Sequence, residues 1–73
     1  MPPKFRDVKR AFERMGATVS PPTGGGSHWK LQKSGKTYPI PAGHGDKTEI
    51  SERYVRGACR ALDLDEAELR RHL

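Results

Sequence analysis

The stretch that most constrains this chain runs from residue 28 to residue 41, where His-Trp-Lys-Leu-Gln-Lys and Lys-Thr-Tyr-Pro-Ile-Pro flank the dipeptide Ser34-Gly35. Two alternating runs joined by a two-residue turn signal of this kind predict a β-hairpin. Such a turn sets Lys33 opposite Lys36, and counting outward pairs Leu31 with Tyr38, Lys30 with Pro39, Trp29 with Ile40 and His28 with Pro41. Side chains alternate along each strand, so Trp29, Leu31, Tyr38 and Ile40 form one apolar face. His28, Lys30, Gln32 and Thr37 fall on the other, away from whatever covers the core. Pro39 and Pro41 occupy positions that do not bond within the hairpin, which makes this third strand an edge.

The remaining segments arrange themselves around that hairpin. Over residues 4–15 the apolar side chains Phe5, Val8, Ala11, Phe12 and Met15 recur at helical spacing, with Arg6, Lys9, Arg10, Glu13 and Arg14 opposite. Pro2 and Pro3 precede this amphipathic helix and Gly16 ends it. A short strand over 17–20 must then pair with the second strand, giving an antiparallel meander. Two prolines and three consecutive glycines make 21–26 a loop. A second loop over 42–50 carries His44, Asp46 and Lys47, after which Ser51 caps a helix whose staple is Ile50 and Val55. Tyr54, Val55, Ala58, Cys59 and Leu62 form its buried face, and Arg53, Arg56 and Arg60 an exposed stripe. A short last helix starts at Asp65, with Glu68 completing a capping box and Leu64 and Leu69 a staple. The expected class is α+β: helix, three-stranded antiparallel sheet, helix and a short C-terminal helix, as one domain over residues 1–73.

Seventy-three residues leave room for one core. A domain of that size buries only about 60% of the surface its unfolded chain exposes, so a binding partner would add to its stability. Fourteen Lys and Arg against nine Asp and Glu give a formal charge of +5, which attracts polyanions without specifying which one. The single cysteine, Cys59, excludes an internal disulfide and a multi-cysteine zinc site, and as part of the apolar helix face it reads as core. With neither a signal-peptide pattern nor a membrane-spanning run, the expected location is the cytoplasm.

Few residues can carry chemistry. His28, His44 and His72 are widely separated with no carboxylate at ligand spacing, so metal-dependent nuclease chemistry is not expected, and no cofactor motif is present. What stands out is His28 on a basic strand preceded by glycines. RNA brings its own nucleophile, the 2′-hydroxyl, so an enzyme acting on it needs a base that titrates near neutrality and cations for the phosphate. His28 and Lys30 are of those types. The glycine backbone over 24–26 lets a phosphodiester approach closely, and successive N–H groups there can form an anion-binding concavity. On these residues alone, a lone histidine at the start of an exposed strand is more often an ordinary surface residue.

Gly26-Ser27-His28 opening a strand, followed by Tyr38-Pro39-Ile40-Pro41 and then His44, resembles the HicA family of toxin mRNA interferases. The similarity spans nearly the whole chain, and the order of elements agrees. The resemblance implies a double-stranded-RNA-binding-like fold (α-β-β-β-α), endoribonuclease activity on mRNA as the toxin of a type II toxin–antitoxin system, and a HicB-like antitoxin as protein partner. Carried over by position, His28 corresponds to the catalytic histidine and His44 to the histidine that often follows the third strand's proline. The chain departs from the family in its loop over 21–26, where a shorter and more basic approach to the histidine is usual.

The resulting assignment makes His28 the catalytic base and Gly25, Gly26, Ser27, Lys30, His44 and Lys47 the candidate RNA contacts. His44 either orders its loop or swings towards His28 as general acid. Trp29 and Tyr38 read as core rather than as base-stacking platforms. The arginine stripe of the second helix and the basic face of the first either grip phosphates or are simply solvated; His72 is tail. Two rival readings are a non-catalytic RNA-binding module using the same basic surface, and an interaction protein whose charge serves only solubility.

Overall fold

The computed structural model describes residues 2–23, 28–41 and 45–73. The order is α1 (Phe5–Arg14), β1 (Thr18–Ser20), β2 (His28–Lys33), β3 (Lys36–Pro41), α2 (Glu52–Ala61) and α3 (Glu66–Arg71). The three strands form one antiparallel sheet in the order β1-β2-β3. This is the α+β arrangement expected from the sequence.

The hairpin pairs as the alternation dictates, from Lys33 opposite Lys36 out to His28 opposite Pro41. Ser34 at φ 53° and Gly35 at φ 79° are both left-handed, the turn geometry whose twist matches that of the flanking strands. Pro39 and Pro41 lie on the outer strand β3, where a missing N–H costs no ladder bond.

Core residues come from every layer. Phe5, Val8, Ala11 and Phe12 of α1, Leu31 and Ile40 of the sheet, Val55, Ala58 and Cys59 of α2, and Leu69 of α3 are buried together with Ala17, Ile50 and Leu62. Each large aliphatic or aromatic side chain among them contributes on the order of 1.5–3 kcal/mol. Both long helices therefore cover the apolar face of the sheet and leave the opposite face open.

Helix boundaries differ slightly from the sequence expectation, for backbone reasons. The Ala17 N–H bonds back to the Phe12 carbonyl at 3.0 Å across Gly16, which sits at φ +90°. Ala17 thus belongs to the stop of α1 and not to β1. A similar closure ends α2, where the Leu64 N–H reaches the Cys59 carbonyl at 2.8 Å and Asp63 takes the left-handed position at φ 58°. Ser51 and Asp65 stand at the N-caps of α2 and α3, but neither side chain makes a capping hydrogen bond. The capping box expected from Asp65 and Glu68 is therefore not closed by its Asp65 half. Backbone bonds into the Ser51 and Asp65 carbonyls start both helices instead. His72 is not a loose tail: it is the C-cap of α3, with its N–H on the Leu69 carbonyl at 3.0 Å.

The start of α1 is held by a distant segment. Phe5 donates its N–H to the Thr48 carbonyl at 2.7 Å and Arg6 to Asp46 at 3.2 Å, while Ile50 donates to Pro3 at 2.8 Å and Lys4 bridges Glu49. N–H groups that a helix start cannot satisfy internally are thereby partnered. This tie also fixes the described end of the loop before α2.

Candidate nucleic-acid interface

The open face of the sheet is built in rows across the strands. Thr18, Gln32 and Thr37 form one row; Ser20, Lys30 and Pro39 the next; His28 and Pro41 the last. The period-two alternation that sends Trp29 and Leu31 to the core sends His28, Lys30 and Gln32 to this side, and all three are exposed. His28 and Lys30 thus share one surface, two positions apart on a central strand. A phosphodiester lying on that surface can reach an imidazole and an ammonium together.

Trp29, next to His28, points the other way. Its ring packs on Phe5 with centroids 4.8 Å apart, and Lys9 places its Nζ 5.5 Å from the ring centroid. The residue is half-buried at the rim of the core, in keeping with a packing role. Phe5 in turn bonds to Thr48, so the His28 end of β2 and the turn carrying the exposed Lys47 belong to the same end of the molecule. Lys9 was not separable in the sequence from the other cations of α1. Its position one turn beyond Phe5 is the signal that sets it over whatever Phe5 packs against.

Of the other expected contacts, Gly25, Gly26, Ser27 and His44 lie outside the described residues. The arginine stripe of α2 is partly engaged within the protein: Arg56 pairs with Glu66 at 3.6 Å and Arg53 lies 5.3 Å from the Tyr54 ring centroid. Arg70 joins Glu52 at 2.7 Å and Glu66 at 2.9 Å, and both carboxylates hold its guanidinium in the charged form. On α1, Asp7 pairs with Arg10 at 2.9 Å and with Arg6 at 3.8 Å. Lys30, Lys33, Lys36 and Lys47 take part in none of these ion pairs. The hairpin and the Lys47 turn thus offer a polyanion lysines outside those ion pairs, and the helices add Arg14, Arg53, Arg60 and Arg71, which are exposed and outside them as well.

Cys59 is buried and its thiol is pushed up from its ordinary value, first by burial and then by the negative charge of Glu66, with Arg70 opposing and Asp65 adding the least. A thiol held neutral in an apolar layer is a packing group and a poor nucleophile. Among the described residues no set of three or more His, Cys, Asp or Glu is placed to hold a metal ion, and no helix is long and apolar enough to cross a membrane.

Compared with family models, curated proteins and solved structures, the chain matches none of them. The reading of function accordingly rests on the residues of the open sheet face and on the motif resemblance to HicA.

Proposed function

We propose that this chain is the toxin of a type II toxin–antitoxin system, an endoribonuclease of the HicA kind that cleaves mRNA. The observation that carries the proposal is the shared exposure of His28 and Lys30 on the open face of β2, with both helices on the opposite side. RNA lies along that face. His28 takes the proton of a 2′-hydroxyl as its oxygen attacks the adjacent phosphorus, the bond from phosphorus to the 5′-oxygen breaks, and the leaving oxygen collects a proton from water. Lys30 offsets the charge that builds on the phosphoryl oxygens. Since the nucleophile belongs to the substrate, this route calls for neither a cofactor nor a metal-bound hydroxide.

An active ribonuclease harms its own cell, so a HicB-like antitoxin is the proposed partner, and the face it covers is the one carrying His28. The test is incubation of the purified protein with an RNA oligonucleotide, and with the same sequence as DNA, in the presence of a chelator. The proposal expects cut RNA, intact DNA and no effect of the chelator. Intact RNA under these conditions, with binding retained, favours the second reading, a non-catalytic RNA-binding module. The polar rows and the hairpin lysines support that reading without any role for His28.

A further inference from the structure

At the turn end of the hairpin, away from His28, the structure holds a shallow depression of about 370 Å³. Its walls are Thr18, Gln32 and Thr37, which form a single cross-strand row, and the turn itself from Lys33 to Lys36, with Gly16 at the end of α1 closing one side. A Cβ built on Gly16 would lie 3.6 Å from Lys33 Cε and 3.9 Å from its Nζ, so Lys33 is laid over that glycine and its ammonium is carried to the edge of the depression. Lys36 is exposed on the other limb of the turn.

The chemistry of this lining is specific in kind. The lining combines two lysines, one glutamine and two threonines, with no carboxylate among them; Thr18, Gln32 and Thr37 share the open face, while Lys33 and Lys36, offset by one in the alternation, border the depression at the turn, Lys33 lying against Gly16. Such a set suits an anion that also accepts and donates hydrogen bonds, and it offers no apolar wall for a hydrophobic ligand. Gln32 stands four positions from His28 on the same face, about 13 Å by the rise of a strand. The two places are thus connected by one continuous polar surface through Lys30 and Ser20, and are too far apart for a single phosphodiester to occupy both.

We propose that the hairpin-turn depression is a second phosphate subsite, which binds the ribose-phosphate backbone of RNA beyond the bond presented to His28. This rests on the proposed reading that RNA lies along the sheet. Lys33 and Lys36 contact phosphate, and Thr18, Gln32 and Thr37 hydrogen-bond to phosphate oxygens or ribose hydroxyls. The consequence is a length requirement: a dinucleotide reaches only the His28 end, whereas a longer strand engages both.

The experiment measures binding of a single-stranded RNA of about 12 nucleotides, a length within the range used by single-strand-binding domains, to the non-cleaving His28→Ala protein across a salt series. The same series is run with Lys33→Ala/Lys36→Ala added, with Lys36→Ala alone in case Lys33 is needed for folding, and with Arg71→Ala on α3 as a remote control. Loss of a phosphate contact lowers the slope of log affinity against log salt by about 0.7 for single strands. The expected result is roughly tenfold weaker binding in the double variant at low salt, a slope reduced by about 1.4, half that reduction for Lys36→Ala, and no slope change for Arg71→Ala. Lysine variants that bind RNA with the parent's affinity and slope overturn the subsite while leaving the RNA reading intact. A parent protein with no RNA affinity at low salt overturns both.

Discussion

Gly57, in the middle of α2, lies against the hydroxyl end of Tyr38 on β3: a Cβ built on Gly57 would overlap the Tyr38 hydroxyl and approach Cζ to 3.0 Å. Glycine inside a helix costs about 1 kcal/mol relative to alanine. Here that cost is offset by letting the helix settle onto an aromatic side chain of the outer strand, which is how α2 comes to cover the β3 side of the sheet.

Gly57→Ala is therefore expected to destabilise the protein, against its helix propensity. Overpacking of this kind costs about 1–3 kcal/mol, and 1 kcal/mol corresponds to about 4–8 °C in Tm for a domain of this length. Adding Tyr38→Phe removes the atom that overlaps most and should recover part of the loss. Thermal melts of the two single variants and the double variant check this, and additive effects would show that the two residues do not meet.

Asp63 holds the left-handed position that ends α2, at φ 58°. Glycine adopts that conformation without the penalty a Cβ incurs. Asp63→Gly should raise stability by a few tenths to about 1 kcal/mol, read as a higher urea midpoint at an unchanged m-value. An unchanged or lower midpoint would contradict the assignment of that residue as the helix stop.

The buried Cys59 thiol titrates above its ordinary value. A group whose folded-state pKa is raised contributes stability that is present below its unfolded-state value and is lost as pH climbs through the folded-state value. Stability should accordingly fall on the alkaline side of the ordinary thiol range, and Cys59→Ser should flatten that decline while lowering stability at neutral pH. Alkylation of the native protein at neutral pH should be slow and should accelerate with denaturant, whereas rapid labelling of the folded chain would place the thiol at the surface.

How much of this could be read in advance varies along the chain. The hairpin was fully legible because alternation, a two-residue turn and two prolines each restrict its register independently, and they agree. With that register His28 and Lys30 had to share a face. The tie of Pro3, Lys4 and Phe5 to residues 46–50 left no trace in the sequence, since backbone-to-backbone bonds between distant segments depend on no particular side chain. The role of Gly57 depends on Tyr38, its neighbour across the core, and no pattern within the helix segment contains that approach. Ser51 and Asp65 have the residue types of helix caps, and they mark the starts of α2 and α3 without making the bonds those types permit. Lys9 and the depression at the hairpin turn depend on tertiary approach, of Trp29 to Phe5 and of Lys33 to Gly16. Periodicity within one segment does not contain those distances.

His28 is proposed to make this chain a ribonuclease. The direct measurement is induction of the wild-type chain and of His28→Ala in cells at matched expression, following growth and the integrity of cellular RNA, with circular dichroism of the purified variant to verify its fold. Arrested growth and RNA decay with the wild type, and neither with a folded His28→Ala protein, is the result predicted. Equal behaviour of the two proteins, whether both arrest growth or both leave it untouched, would contradict it.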